Sequence, residues 1–276
     1  MKNLLTFALL FCVTLLSAQD FEGIMSWKIT TEITDPKIKA EMEEAQKTAN
    51  DPASQAQMKE LQAKMDDPQF KQMMESNPQM KAQIEAAMKA AQGGDLSSMM
   101  PKGYTAKFKN KNMLTVMDGG MMSNMEFLYL NSEDKAYAIN RSAKTYSPIK
   151  NSAAEDKYKK DLDVKITKTS ETARILNYTC TKYIADVKPE KGASIQQIFW
   201  ATKDIPGIDF KNMSKQRMGN SSQSMWYAEI DGVPLKVEMK TAQGNMVMEA
   251  TEIKKQSLPS SDFAIPAGFQ ETKMGF

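Results

Sequence analysis

The fold is decided where the stretch FEGIMSWKITTEITDP, residues 21–36, passes from a β pattern into a helical one. Residues 21–33 are rich in β-branched and aromatic side chains with partial alternation, which is typical of a strand. The strand pattern ends at Asp35-Pro36, where an N-cap residue precedes a proline suited to the first turn of a helix. We therefore expect an α+β protein in which a helical segment interrupts a sheet.

Residues 36–100 form the expected helical insertion, which lies between the first and second strands. Its first 57 residues, 36–92, consist mostly of Ala, Gln, Lys, Glu and Met, which suit a helix. Asp35-Pro36, Asp51-Pro52, Asp67-Pro68 and Asn77-Pro78 predict four helix starts. Large apolar residues recur at helical spacing and give each helix one narrow apolar stripe.

From Tyr104 onward the β pattern returns and continues to the end of the chain. No alternation of strands with helices occurs there, so we expect one antiparallel, strongly curved sheet of about ten or eleven strands. An extended tail is expected at 262–269. Turn signals separate the other predicted strands, which lie at about 104–109, 112–117, 121–130, 135–140, 163–169, 172–186, 195–202, 225–230, 234–240 and 245–255. The last turn signal, Asp231-Gly232, predicts a hairpin.

The composition excludes several classes of function. The chain has no histidine, which excludes His-dependent nucleophile systems and His-ligated metal sites. Its 36 Lys and Arg nearly balance 34 Asp and Glu, so it lacks the basic footprint of a nucleic-acid-binding protein. Cys180 lies in an alternating strand pattern, where it is expected to act as a small buried hydrophobe. We expect a protein that is not an enzyme and needs no cofactor.

The N-terminus has the features of a secretory signal. Lys2 precedes an apolar core from Leu4 to Leu16, and Ala18 supplies a small residue at the cleavage point. We expect residues 1–18 to be removed and residues 19–276 to form a single domain in the periplasm or outside the cell. The apolar core is shorter than the roughly 20 residues of a membrane span, although transient contact with a membrane surface is compatible with this composition.

Four motifs in the second half of the chain resemble a known family. They are ILNYTCTKY at 175–183, FWATKD at 199–204, GVPL at 232–235 and SDFAIPAGF at 261–269. In this order they resemble a family of exported Gram-negative proteins catalogued as a domain of unknown function, which is similar in architecture to the periplasmic outer-membrane lipoprotein carriers. The resemblance spans about residues 21–269. It implies a half-barrel whose concave face is covered by helices, with an apolar cavity between them.

The helical insertion carries a second resemblance, within residues 67–92. The stretch DPQFKQMMESNPQM, residues 67–80, is similar to the Asp-Pro and Asn-Pro repeats of heat-shock organising co-chaperones and ubiquilins. The methionine-lined grooves of those proteins take exposed hydrophobic segments. This resemblance implies an alternative function for the insertion, as a chaperone-like or protein-interaction module.

Methionine makes up 23 of the 276 residues, and nine of them lie in residues 36–100. Its flexible, polarizable side chain lets a surface adapt to different apolar partners. The same residues also suit plain packing of helices onto the sheet, and the tryptophans suit either core packing or cavity lining. Both interpretations stay open. The candidate ligand-binding residues are Met42, Met58, Leu61, Met65, Phe70, Met73, Met74, Met80, Ile84, Met88, Trp27, Trp200 and Trp226.

We therefore predict an exported binding protein that holds a hydrophobic ligand, namely a lipid, an acyl chain or a lipoprotein, between the sheet and the helices. Burial of an acyl chain contributes about 0.8 kcal/mol per CH₂ group and needs no charged chemistry. A third interpretation is Cu(I) binding by clustered thioethers. The residues concerned are Met121, Met122 and Met125, and also Met246 and Met248.

Overall fold

The computed structural model describes residues 20–65, 67–71, 84, 100–120, 122–123, 125–149, 162–189, 194–210 and 230–272. The strands are β1 Gly23–Ile33, β2 Gly103–Lys109, β3 Asn112–Asp118, β4 Met125–Leu130, β5 Lys135–Asn140, β6 Thr145–Ile149, β7 Leu162–Ile175, β8 Tyr178–Pro189, β9 Ile195–Thr202, β10 Val233–Lys240, β11 Gly244–Lys255 and β12 Gln270–Glu271. The helices between β1 and β2 are α1 Pro36–Asn50 and α2 Pro52–Met65, and a short 3₁₀ helix, Ser260–Phe263, follows β11.

The described strands form one open sheet of twelve, one more than the ten or eleven expected, and they confirm the predicted curved antiparallel architecture. Their order across the sheet is β12-β6-β5-β4-β3-β2-β1-β11-β10-β9-β8-β7. Neighbouring strands are antiparallel throughout, apart from β12, which pairs in parallel with β6. The first strand lies near the middle of the sheet because β1 pairs with both β2 and β11. The N-terminal and C-terminal parts of the chain are thereby joined.

Several strand predictions are wrong in detail, and the strand predicted at 121–130 begins only at Met125. The strand β6 was not predicted, and it contains Pro148, which lacks the N–H that a ladder uses. The strand β7 continues to Ile175, although the sequence predicts a break between 169 and 172. A register shift between Lys168 and Thr172 accommodates the irregularity, and the chain turns instead at Leu176, whose φ is 52°.

The hairpin predicted at Asp231-Gly232 is also corrected. Residues 225–229 lie outside the described part of the chain, and β10 takes β9 and β11 as its neighbours. Gly232 has a φ of 109°, and a Cβ at this position would collide with the carbonyl oxygen of Thr202. Glycine is therefore needed here because the backbone passes close to β9. The expected extended tail is partly wrong as well, since it begins with the 3₁₀ helix.

Three of the four predicted helix starts are confirmed. The carboxylates of Asp35, Asp51 and Asp67 each accept a hydrogen bond from a backbone N–H two residues later, at 2.8, 3.2 and 2.8 Å. Helical backbone accordingly begins at Pro36, Pro52 and Pro68. The fourth start, at Asn77-Pro78, and the signal sequence lie outside the described residues.

The sheet buries side chains on both of its faces. One face, here called the Trp27 face, carries Met25, Trp27 and Ile29 of β1 together with the larger apolar cluster. The opposite face, here called the Leu128 face, carries a smaller cluster that includes Leu114 and Leu128. Strand alternation separates the two sets, because successive side chains point to opposite faces.

The expected cover of the sheet by the methionine-rich helices is not confirmed by α1 and α2. None of their described side chains belongs to either cluster, and Ile38 and Met42 of α1 are only half-buried. The reason is composition, since a narrow apolar stripe on an otherwise polar helix buries little area. The root of α1 is nevertheless fixed, because Thr34 and Asp35 donate backbone hydrogen bonds to Gln243 O. Among the described helices, none is long and apolar enough to span a membrane.

Candidate functional site

The centre of the Trp27 face is an aromatic cluster. Trp27 of β1 pairs with Tyr104 of β2, and their rings stack with centroids 4.8 Å apart. Phe210 packs edge-on against Trp27 at 5.7 Å and lies 6.2 Å from Phe108. Phe21 completes the group at 6.1 Å from Phe108. All five side chains are buried, so the cluster is an apolar part of the core.

The apolar surface continues from this cluster across the neighbouring strands. Cross-strand pairing places Ile29, Met248, Val237, Phe199 and Tyr183 in one row on β1, β11, β10, β9 and β8. All five belong to the same buried cluster. The Trp27 face therefore carries one continuous buried apolar layer rather than separate patches.

Few described residues outside the strands pack on this face. They are Phe21, Ile205, Ile208, Phe210 and Ile230. Cys180 also belongs to the cluster, and burial raises the pKa of its thiol to about 11. The neutral thiol is a poor nucleophile, in agreement with the expectation of a small buried hydrophobe. The chemistry available on the Trp27 face is thus apolar contact.

Over β3 to β6 the Leu128 face is covered by the chain itself. Residues 256–272, here called the C-terminal strap, cross β3 to β6 and end in β12. Leu258 and Phe263 of the strap are buried against Leu114, Leu128 and Ile139.

Charged contacts hold the strap at its start. The Glu22 carboxylate accepts hydrogen bonds from Leu258 N at 2.6 Å and from Lys109 Nζ at 2.9 Å. These two donors, the backbone N–H of Leu258 first, hold the pKa of Glu22 below its ordinary value. Lys107 adds an ion pair with Asp262 at 2.6 Å. The part of the Leu128 face over β3 to β6 therefore has a built-in cover.

The two described tryptophans are not brought together. Trp200 follows Phe199 in β9, so alternation directs it away from the face that carries Trp27. It borders the apolar cluster, and its indole Nε1 donates to Glu238 at 3.4 Å. Lys182 Nζ lies 5.7 Å from its ring centroid. Its surroundings are therefore mixed and polar, unlike those of Trp27.

The candidate residues in the helical insertion are only partly described. Met42, Phe70 and Ile84 are half-buried. Their role, like that of the remaining candidates, stays a prediction. The remaining side chains lie outside the described part of the structure, and they are Met58, Leu61, Met65, Met73, Met74, Met80, Met88 and Trp226.

The methionines considered for Cu(I) fall in two different settings. Met122 is 39% exposed in a turn and Met125 is half-buried at the start of β4, whereas Met121 lies outside the described residues. Met246 and Met248 point to the Trp27 face, as alternation predicts, and pack in its apolar cluster. Among the described residues, no three His, Cys, Asp or Glu side chains form a group that could hold a metal ion.

Sequence reasoning missed the aromatic partners of Trp27. Tyr104, Phe108 and Phe210 are buried, like Trp27, but were not among the candidates. The alternation of Tyr104, Ala106 and Phe108 along β2 was the available signal for two of them. Phe210 follows the turn at Pro206-Gly207 and carries no such signal.

Comparison with known proteins gives a family and three similar structures. Residues 72–269 match the family described as "Domain of unknown function (DUF4412)". No curated protein matches the chain significantly. The chain is similar to the Mycobacterium tuberculosis lipoprotein LppX at 10% identity and a TM-score of 0.31, covering 66% of this chain and 98% of that one.

Two further structures show the same kind of likeness. LprF from Mycobacterium bovis is similar at 14% identity and a TM-score of 0.26, with 59% of this chain and 82% of that chain covered. An outer membrane lipoprotein-sorting protein domain from Vibrio parahaemolyticus is similar at 12% identity and a TM-score of 0.24, with 58% and 80% covered.

Proposed function

This chain belongs to the family described as "Domain of unknown function (DUF4412)", and we propose that it is an exported, non-enzymatic binding protein for a hydrophobic ligand. The ligand is an acyl chain, carried by a lipid or a lipoprotein, that lies against the Trp27 face. The helical insertion lies between β1 and β2 and covers the bound chain in this proposal.

The observation that carries the proposal is a difference in what covers the two faces of the sheet. Over β3 to β6 the Leu128 face is covered by the C-terminal strap, which buries Leu258 and Phe263. The Trp27 face carries the larger apolar cluster, which is buried although only short segments of the described chain outside the strands pack on it. In the proposal the acyl chain lies between this face and the chain segments that cover it. An acyl chain on this surface gains about 0.8 kcal/mol per buried CH₂ group, so ten carbons suffice for useful affinity.

The position of the helical insertion supports a covering role. Hydrogen bonds from Thr34 and Asp35 to Gln243 O fix the start of α1 at the turn between β10 and β11. Met42 lies one turn beyond Ile38 on the same side of α1. In the proposal these two half-buried side chains, with Phe70 and Ile84, contact the bound chain. Methionine suits this role because its side chain repacks around ligands of different length.

Native mass spectrometry of the full-length exported chain tests the proposal first. Protein purified without detergent is expected to carry a lipid mass that delipidation removes. Delipidated protein is then expected to bind palmitate in a fluorescence displacement assay. Protein that carries no lipid and takes up no palmitate would contradict the proposed function.

A matched pair of variants locates the binding surface. Met246 and Val247 are neighbours in β11 and are both half-buried, but Met246 packs on the cluster of the Trp27 face and Val247 points to the opposite side. Met246→Gln is expected to weaken palmitate binding by about fivefold or more, since it replaces apolar contact area with an amide. Val247→Gln is expected to leave binding within about twofold of wild type. Equal losses in both variants would contradict the assignment to the Trp27 face.

A second candidate function is favoured by the exposure of α1 and α2. Most of their described side chains face solvent, while Ile38 and Met42 form an apolar stripe on α1. Such a stripe suits transient contact with an unfolded segment. A lipid-free chain that suppresses aggregation of reduced lysozyme, and loses this effect in Met42→Gln, would favour a chaperone-like function.

A further inference from the structure

A cavity of about 980 Å³ lies at one end of the sheet, outside the aromatic cluster. Four strands meet there: β7 and β9 begin, while β8 and β10 end. The cavity extends to Thr241, close to the turn that anchors the start of α1 through Gln243. It therefore lies where the helical insertion leaves the sheet.

Both faces of the sheet contribute to the lining of this end cavity. Ile166 lines it and also packs against the apolar cluster of the Trp27 face. Val164 and Ile195 line it as well. Lys165 and Gln196 alternate with these apolar residues along β7 and β9, so they belong to the opposite face. The lining of the cavity is therefore apolar on one side and polar on the other.

The polar side of the cavity is one cross-strand row. Register pairs Lys165 with Asp186, Asp186 with Gln196 and Gln196 with Lys240. Three steps of about 4.8 Å separate the backbones of Lys165 and Lys240 by roughly 14 Å. Gln196 Nε2 donates to Asp186 Oδ1 at 2.9 Å, so an amide already satisfies one oxygen of the central carboxylate.

Positive charge is in excess in the described lining. Lys165, Lys188 and Lys240 are exposed lysines that form no ion pair with another described residue. Two carboxylates, Asp163 and Asp186, also line the cavity. Three ammonium groups against two carboxylates, one of them already hydrogen-bonded to Gln196, favour an anionic group.

We propose that the end cavity binds the anionic headgroup, a phosphate or a carboxylate, of an amphiphile whose apolar chain lies along the Trp27 face. The inference rests on the proposed function, which it deepens by naming the ligand class. The apolar part of the lining favours an amphiphile over a free anion, because a free anion gains nothing from Val164, Ile166 and Ile195. The charged row fixes the head, and the apolar surface contributes most of the binding free energy.

Isothermal titration calorimetry of the full-length chain with three probes tests this inference. The probes are dodecyl phosphate, dodecanol and inorganic phosphate, each below its aggregation limit. The variant Lys165→Gln/Lys240→Gln removes two ammonium groups of the cavity. The control Lys254→Gln removes one exposed lysine near the other end of β11, where Lys254 pairs with Ile24.

The double variant is expected to weaken dodecyl phosphate binding about tenfold and to leave dodecanol binding unchanged, since only the charged head contacts the lysines. The control is expected to behave as wild type. Equal binding of dodecyl phosphate by the double variant and the control would overturn the inference while the proposed function stands. Inorganic phosphate that binds as tightly as dodecyl phosphate would also overturn it, because the site would then take a free anion. Wild-type protein that binds neither dodecyl probe would overturn the proposed function itself.

Discussion

Lys109 Nζ donates to both Glu22 Oε1, at 2.9 Å, and Leu258 O, so one ammonium group joins the residue before β1 to the start of the C-terminal strap. Leu258 N donates to the same Glu22 oxygen, which closes a three-residue network. Glu22 and Leu258 are 236 residues apart in sequence. The network therefore ties the two ends of the described chain to the middle of the sheet.

The Glu22 network predicts a loss of stability in acid. In the folded protein, hydrogen bonds from Leu258 N–H and Lys109 hold the pKa of Glu22 below its ordinary value of 4.5. A lowered folded-state pKa contributes stability that is present above the ordinary pKa and is lost as the pH falls through the folded-state value. Thermal unfolding between about pH 6 and pH 3 measures this, with Glu22→Gln as the comparison. The melting temperature of wild type is expected to exceed that of the variant at pH 6 and to approach it toward pH 3. A gap that stays constant with pH would contradict the linkage.

Shortening one buried side chain of the strap is expected to cause a large loss of stability. Phe263 is buried against Leu114, Leu128 and Ile139, so Phe263→Ala is expected to lower the free energy of unfolding by about 3–5 kcal/mol. Phe269 packs on the same cluster but is half-buried, so Phe269→Ala is expected to cost less. Urea unfolding of both variants provides the measurement. Similar small losses in both would mean that the strap does not close the Leu128 face.

Cys180 is expected not to react with thiol reagents in the folded protein. The side chain is fully buried, and burial raises the pKa of the thiol to about 11. In the chain that starts after Ala18, a thiol reagent such as Ellman's reagent at pH 8 is expected to modify no cysteine until urea is added. Stoichiometric modification within minutes in native buffer would show that the cluster around Cys180 opens readily.

The parts of the fold that depend on neighbouring residues could be predicted from the sequence. Asp35-Pro36 and Asp51-Pro52 start helices because the cap and its backbone donors lie within three residues. The antiparallel character followed equally from the absence of strand–helix alternation. Parts that depend on a partner far along the chain could not be predicted. Pro148 lies in a strand because β5 and the strap flank it, and nothing near Pro148 indicates this.

The sequence predicts which residues of the candidate site lie in strands, but it does not predict which of them share a face. The sequence placed Trp27 and Trp200 in strands, and the structure confirms this. Whether they share a face depends on the register between β1, β11, β10 and β9, and a one-residue change of register reverses it. The same limit applies to the end cavity. Lys165, Asp186, Gln196 and Lys240 come from four strands and form a row only through their pairing.

Quenching of single tryptophans by a spin-labelled acyl chain tests the central claim most directly, because the nitroxide acts only at short range. In a Trp226→Phe background, Trp200→Phe leaves Trp27, which is stacked on Tyr104 in the apolar cluster. Trp27→Phe leaves Trp200, which lies beside Glu238 and Lys182. With doxyl-stearic acid at saturation, we expect strong quenching of Trp27 and little quenching of Trp200. Quenching of Trp200 that equals or exceeds that of Trp27 would contradict the assignment of the ligand to the Trp27 face.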